Sequence, residues 1–317
     1  MNPLASIEIG TNSIRMLIAE KGISENTLKP ILRKRAITRL GKNFNKKEAQ
    51  IIEPEPISRS ISVLENFFDI ARQFGISSPI VVATGVVREA RNRNDFISLI
   101  EKKLGHNVKV ITGEDESYLT RRGVLSSLDF RKETLVIFDC GGGSTEFVWT
   151  DNNKSETISI NCGAVILTDD YLTNDPPNDK DIIRVFNYID NKFEVKLQYI
   201  KGLCKGAFSL VGTGGTIISL AGMIHGIRET EFNETLNGLV IKRKNIEALF
   251  TKMKGMPRAK RLKDIAGLEP GREDIVVAGT IIVIKIMDYF EKYEIITSYS
   301  DLLEGILLQY MGGGKNG

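Results

Sequence analysis

The chain has 317 residues, of which 42% are hydrophobic and 26% charged, and its formal net charge is +3. That length suits two domains of ordinary size, and the composition is that of a globular protein. No apolar run reaches the length of a membrane span, and the start, MNPLASIEIG, lacks the basic region and long apolar core of a signal peptide. The three cysteines, Cys140, Cys162 and Cys204, show neither metal-ligand spacing nor a paired framework, and they suit a reducing cytoplasm. Two histidines, His106 and His225, are too few and too far apart for a histidine metal site or a triad. Catalysis therefore has to rest on carboxylates, hydroxyls and backbone.

Residues 4–20, LASIEIGTNSIRMLIAE, read as a strand, a turn and a second strand. The turn carries an acid (Glu8), a glycine (Gly10) and polar residues (Thr11, Asn12, Ser13). Residues 27–47 hold Lys29, Arg33, Lys34, Arg35, Arg39, Lys42, Lys46 and Lys47 and no acid. Pro54 and Pro56 precede a helix over 57–74, with Ile57, Ile61, Leu64, Phe68 and Ala71 on one stripe and Gly75 as its stop. A short strand is expected at 79–83. Thr84 and Gly85 then open a helix carrying Arg88, Arg91 and Arg93, and Asn94 or Asp95 caps the next helix, which ends near Gly105. A strand at 108–111 leads to a helix whose first turns hold Glu114, Asp115 and Glu116. Acids at a helix start complement its dipole, which accounts for two of them. The third could also be aimed into a cleft.

The second half opens with LVIFDCGGGSTEFV, residues 135–148. A buried strand ends at Asp139, the glycines Gly141, Gly142 and Gly143 form the turn, and Ser144, Thr145 and Glu146 begin the returning strand. Successive N–H groups of such a turn can form an anion nest, and carboxylates beside a phosphate site usually hold a divalent cation. No GK[ST] follows, so the segment is not a P-loop. Strand follows strand, so it is not the dinucleotide fingerprint either. The order of acid, glycine and hydroxyl repeats that of Glu8, Gly10 and Thr11, and internal repetition points to two related domains. A strand at 156–160, a helix from Gly163, a break at Asp175-Pro176-Pro177-Asn178 and an amphipathic helix over 180–199 follow. A strand at 207–211 ends in Gly212-Thr213-Gly214-Gly215-Thr216, which runs into a helix at 217–223. That is equally a plain helix start and an anion site. Residues 242–263 hold nine basic residues, either a solvated helix face or, with 27–47, a groove for a polyanion. A buried helix over 274–290, a last helix over 301–310 and a frayed GGGKNG tail complete the chain.

In this order and spacing, IEIGTNSIRML, VATGVVREARN, ITGEDESYL, VIFDCGGGSTEF, NCGAVILTDDYL, VGTGGT, GLEPGREDIVVAG and SDLLEGILL resemble the exopolyphosphatase/guanosine pentaphosphate phosphatase family. The resemblance runs from about residue 4 to residue 308. It implies an α/β fold of two ribonuclease H-like domains with mixed sheets around an interdomain cleft, as in actin, sugar kinases and heat-shock chaperones. The expected division is 1–128, with a C-terminal helix at 301–317 packing back, and 129–300. The short form, without additional C-terminal helical domains, is expected.

The resemblance also implies hydrolysis of the terminal phosphoanhydride of polyphosphate, or of the 5′ γ-phosphate of guanosine pentaphosphate, with Mg2+ or another divalent cation. Glu116 aligns with the general base, and Asp139 and Glu146 with the metal and water-positioning carboxylates; Glu8 stands where the first hairpin's metal-side acid lies. Gly141, Gly142, Gly143, Ser144 and Thr145 align with one phosphate loop and Gly212, Thr213, Gly214, Gly215 and Thr216 with a second. Thr11, Asn12 and Ser13 are the corresponding turn of the first hairpin, and Arg88 matches an arginine that reaches phosphate. A homodimer is implied by the family alone. Such chemistry needs an oriented water and neutralised phosphoryl oxygens more than a covalent nucleophile. Three positions depart from the pattern. Glu8 replaces an aspartate, and Ile166 and Leu303 replace arginines, which is expected to weaken binding of a long polyanion or of a guanosine nucleotide. A non-catalytic sensor of guanosine tetraphosphate or polyphosphate is the rival class. No adenosine-pocket motif supports a kinase, no aromatic interleaving among the basic residues supports nucleic-acid binding, and no membrane association is expected.

Overall fold

The structure is a computed structural model that describes residues 2–24, 26–44, 50–130, 133–151 and 154–312. Lys46 and Lys47 of the first basic segment and residues 313–317 of the glycine tail lie outside the described residues. The chain divides into two compact units, Met1–Ser127 with Ser300–Gly317, and Leu128–Tyr299.

The first unit begins with an antiparallel meander, β1 (Leu4–Ile9), β2 (Ser13–Lys21) and β3 (Leu28–Ile37). Helix α1 (Pro54–Gln73) starts on Pro54, whose fixed φ suits a first turn, and buries Ile61, Leu64, Phe68 and Ala71. Strand β4 (Ile80–Ala83) joins β1 in parallel. The helix read as one element through Arg93 is two: α2 (Gly85–Glu89) stops at the extended Ala90, and α3 (Arg93–Leu104) starts afresh after Asn92, not after Asn94 or Asp95. Strand β5 (Lys109–Val110) and helix α4 (Gly113–Ser127) follow. The sheet order is β3-β2-β1-β4-β5.

The second unit repeats this plan. A meander of β6 (Leu135–Cys140), β7 (Thr145–Thr150) and β8 (Ser155–Ile160) leads to α5 (Ala164–Tyr171) and the 25-residue α6 (Asp179–Leu203). The Asn178 side chain accepts from Asp181 N, which caps α6. Strand β9 (Ser209–Thr213) lies parallel to β6 and feeds α7 (Gly214–His225). Strand β10 (Val240–Lys242), helices α8 (Arg243–Lys254), α9 (Arg258–Asp264) and α10 (Val276–Tyr289), and strand β11 (Glu294–Thr297) complete it. The order β10-β11-β9-β6-β7-β8 contains the first unit's pattern plus one edge strand, so both units are ribonuclease H-like mixed sheets. Strands β10 and β11 have no counterpart in the sequence reading. Helix α10 is buried without interruption from Val276 to Ile284 and forms the floor of the second core.

The last helix, α11 (Leu302–Met311), belongs to the first unit. One side, Leu302 and Ile306, packs with Val82, Ile111 and Leu119. The other, Leu303 and Leu307, packs with Leu17 and Ala19. Leu303, expected as the site of a missing cation, is thus wholly inside the apolar core. Helices α4 and α11 approach at two glycines. A Cβ on Gly123 would overlap the Asp301 backbone, and one on Gly305 the Leu119 backbone.

That contact yields a prediction. Gly305→Ala should lower the stability of the first unit by at least the ~1–3 kcal/mol typical of overpacking, read as a lower denaturation midpoint. Gly202→Ala in α6, where an added Cβ meets nothing within 4 Å, should leave the midpoint unchanged or raise it. Equal midpoints for Gly305→Ala and the parent chain would show that the two helices are free to separate.

Candidate active site

The glycine hairpin of the second unit is shaped by the helix behind it. Ala164 N donates to Gly141 O (3.0 Å) and Val165 N to Gly142 O (2.9 Å), so the turn's carbonyls cap the start of α5. In a trans peptide the N–H points opposite to the C=O. The N–H groups of Gly142 and Gly143 are therefore directed away from α5, and both residues remain half-buried rather than enclosed. Two adjacent donors aimed one way are what an anion nest requires. The approach is so close that a Cβ on Gly163 would overlap Gly142 and Gly143.

Across this hairpin Asp139 and Glu146 are directly opposed in the β6–β7 register, on one face of the sheet. Glu146 is buried, and its Oε1 accepts from Ser144 Oγ (2.6 Å) and Ser159 Oγ (2.8 Å). Asp139 lies against the second loop. Gly214 there has a φ of +81°, and a Cβ on it would overlap Asp139 Oδ1. Thr213 is extended, and its hydroxyl donates to Ser298 O (2.9 Å) rather than capping α7. Gly214, Gly215 and Thr216 form the first turn of α7, the positive end of its dipole.

The first unit carries the same hairpin with a different charge pattern. Gly10 N donates to Ser13 O at 3.0 Å, as Gly141 N does to Ser144 O at 3.0 Å. Glu8 corresponds to Asp139, but the residue opposite it is Arg15 where the second hairpin has Glu146. Arg15 Nε donates to Glu8 Oε2 (2.6 Å), and Arg15 also pairs with Asp301. The turn itself is covered. Thr11 O accepts from Gly41 N (2.8 Å), and Asn12 O from Thr38 N (3.0 Å) and Arg39 N (2.9 Å). Thr11 Oγ1 accepts from Val86 N (3.1 Å) at the start of α2. Asn12 Nδ2 is buried with no hydrogen-bond partner among the described residues, a state that costs about 1–3 kcal/mol. Glu116, in the first turn of α4, is buried and accepts from Arg88 Nη1 (2.7 Å). The structure thus brings the two sequence-named residues Arg88 and Glu116 into one charge-assisted pair.

Magnesium fits the Asp139–Glu146 pair. It is a hard cation that takes one or two carboxylates and fills its remaining positions with water and phosphate oxygens. Among the described residues no three His, Cys, Asp or Glu side chains gather into a closed metal cage. At Glu8 the opposing guanidinium already supplies a cation.

The profile of the Ppx/GppA phosphatase family matches residues 17–313. The chain belongs to the Ppx/GppA phosphatase family. It is 27% identical over 321 residues to exopolyphosphatase 2 of Mycobacterium tuberculosis, covering 98% of each. It is 32% identical to a bifunctional 3-dehydroquinate synthase/phosphatase of Fusobacterium nucleatum, over 96% of this chain and 46% of that protein, so it spans about half the length of that relative. Among solved structures it resembles an exopolyphosphatase from Cytophaga hutchinsonii (TM-score 0.88, 25% identity, 99% of each chain). It also resembles the Aquifex aeolicus PPX-GPPA enzyme (TM-score 0.77, 30% identity, 97% of this chain and 99% of that one).

A buried charged pair near α7 escaped the sequence reading. Arg272 is buried and pairs with Glu269 (2.7 Å), whose Oε2 also accepts from Ser219 Oγ (2.7 Å) on α7. Its charge works against burial at the Cys140 thiol and pulls that thiol's pKa down slightly. The only hint in the sequence was the charged interruption in GLEPGREDIVVAG. Cys140, next to Gly141, is no nucleophile, because burial pushes its thiol up to about 12 despite hydrogen bonds with Thr216 and Thr145. Cys162 is raised by burial as well, and the half-buried Cys204 is raised to about 11. An acid with a raised pKa stays protonated below it, so all three remain thiols near neutrality. At pH 8 a disulfide-exchange reagent should therefore label fewer thiols in the native protein than the three present, and all of them after denaturation. Rapid native labelling of Cys140, mapped by peptide analysis, would contradict the assignment.

Proposed function

We propose that this chain is an exopolyphosphatase-type phosphohydrolase that removes the terminal group of inorganic polyphosphate as orthophosphate, with magnesium at Asp139 and Glu146. The observation that carries the reading is the glycine hairpin, where two backbone donors and two opposed carboxylates share one turn. The donors suit the non-bridging oxygens of a phosphoryl group, and the carboxylates suit its cation. Bound there, magnesium would neutralise those oxygens and hold them in place.

The chain's own groups supply the rest. Glu116 takes a proton from water as the water oxygen bonds to the terminal phosphorus. The bridging P–O bond breaks, and the shortened chain leaves with the bridging oxygen. Arg88, now hydrogen-bonded to Glu116, holds that carboxylate in orientation and offers its remaining donors to phosphate. The start of α7 supplies a second field of positive sign for the next group of the chain. Exopolyphosphatase 2 of Mycobacterium tuberculosis, matched end to end, and the Cytophaga hutchinsonii exopolyphosphatase support polyphosphate as the substrate class.

The test is orthophosphate release from purified polyphosphate with magnesium present, beside guanosine pentaphosphate in the same preparation. Release from polyphosphate is expected. Preferential release from guanosine pentaphosphate would move the assignment to a 5′-phosphohydrolase, and tight binding of either without turnover would make the protein a sensor. Glu116→Gln should cut kcat by roughly 10²–10⁴, the usual span for a general base. Wild-type turnover in that variant would place the base elsewhere.

A further inference from the structure

The basic run at 242–263 separates in the structure into cations the fold uses and cations it leaves at the surface. Arg261 is buried, Arg243 pairs with Glu247 (2.7 Å), and Lys254 pairs with Asp179 (3.1 Å). Lys252 near the end of α8, and Lys260 and Lys263 on α9, are exposed and gather around the exposed Asp264. A hydrogen bond from Lys260, with the charges of Lys260, Lys263 and Lys252, holds that carboxyl below its usual range. Lys252 and Lys263 make no ion pair of their own among the described residues. Three ammonium groups around one carboxylate leave the α8–α9 turn with an excess of positive charge.

Strand directions place this turn within the second unit. The glycine hairpin and the start of α7 follow the C-terminal ends of β6 and β9, which run parallel. Strand β11 is parallel to β9 and β10 antiparallel to β11, so β10 runs away from that end. Helix α8 therefore begins at the far end, where Arg243 N donates to Tyr293 O just ahead of β11 (2.9 Å). Its 12 residues span about 18 Å at 1.5 Å each. The last turn is tied to the hairpin's end of the sheet, because Arg261 donates both to Met253 O and to Glu273 O, just ahead of α10. The first turns of α10 carry Gly279, which lies against Thr216 at the start of α7. The lysine cluster and the glycine hairpin thus share one end of the second sheet, the end at which open α/β sheets take their ligands.

We propose that the α8–α9 turn is a landing surface for the distal part of a long polyphosphate chain whose terminus lies at the glycine hairpin, with Lys252 and Lys263 setting the preference for long chains. The inference rests on the polyphosphate reading above and deepens it. Hydrolysis shortens the chain by one group per turnover, so a distal contact has to accept the phosphates in any register. Lysine suits that task, being a point charge on a flexible stem rather than a fixed fork.

The test compares Lys252→Glu/Lys263→Glu with Lys242→Glu/Lys244→Glu, which makes the same change in net charge at the far end of α8. In the first variant the KM for long-chain polyphosphate should rise about tenfold at low salt, the order expected for two exposed charge reversals beside a polyanion. Its kcat, and its KM for tripolyphosphate, should stay at the parent values, and the rise should shrink as salt screens the surface. The Kd for long-chain polyphosphate, by calorimetry with magnesium omitted, should rise in parallel. A parent-like KM and Kd for long chains would overturn the proposal. So would an equal effect of Lys242→Glu/Lys244→Glu, which marks diffuse attraction, or an equal rise with tripolyphosphate, which marks damage to the hairpin site. A parent that releases no orthophosphate from either substrate refutes the hydrolytic reading alone, and the Kd comparison then decides this one.

Discussion

Two backbone carbonyls govern the shape of the second unit's hairpin. Because Gly141 O and Gly142 O are spent on the start of α5, the amides that follow them face the other way. The glycines are thus needed less for freedom than for closeness, since α5 reaches the turn only because position 163 also lacks a Cβ. The same economy recurs one layer deeper. Gly279 on α10 lies where a Cβ would meet Thr216 Cγ2 at 2.8 Å and Ala164 Cβ at 3.6 Å. One glycine on the floor helix therefore lets α5 and α7 converge beneath the hairpin. Asp139 sits where these elements meet, at the end of β6 and against Gly214.

The two hairpins show what a single strand position can change. Both keep the acid, the glycine and the 3.0 Å turn bond. Opposite the acid, the second unit places Glu146 and the first places Arg15. Two opposed carboxylates put two acids side by side on one face of the sheet. A carboxylate opposed to a guanidinium closes on itself as a partly buried ion pair. The covering of Thr11 and Asn12 by residues 38–41 continues that closure. The duplicated motif has therefore diverged into a hairpin with two opposed acids and a self-neutralised one that positions its neighbours.

Much of this was legible in the sequence, because glycine and acid in fixed order leave few structural options. The acid-glycine-hydroxyl repeat announced two related units; the acids at the start of α4 numbered one more than a helix dipole needs, and it was the family resemblance that singled out Glu116. What stayed hidden depends on partners far along the chain. Arg261 lies in a run of basic residues that reads as a solvated face, yet it is 1% exposed. Its Nε donates to Met253 O (2.9 Å) and its Nη1 to Glu273 O (2.8 Å), so it pins the segment that carries Arg272. No local pattern distinguishes it from Lys260, whose side chain pairs with Asp264 on the same helix. The cover over Thr11 and Asn12 was hidden for a similar reason, since its hydrogen bonds run to a turn nearly thirty residues earlier.

Position 303 shows how charge can move without being lost. An arginine there would have to share a core with Leu17, Ala19 and Leu307. This chain keeps that core apolar and draws its cations from the strands instead, Arg15 from β2 to Asp301 and Arg33 from β3 to Glu304. The two acids also cap α11, Asp301 accepting from Leu303 N and Glu304 from Asp301 N. Burial works to raise the pKa of both. At Asp301 the arginines Arg15 and Arg33 outweigh it and hold the carboxyl low, whereas at Glu304 burial prevails, aided by the charge of Asp301. The low-lying acid is thus the one shared between Arg15 and the helix start. Arg15 itself bridges Asp301 and Glu8, so the cap of the last helix and the first hairpin are fixed by one guanidinium. The helix that ends the described chain is in this way tied electrostatically to the turn with which the chain begins.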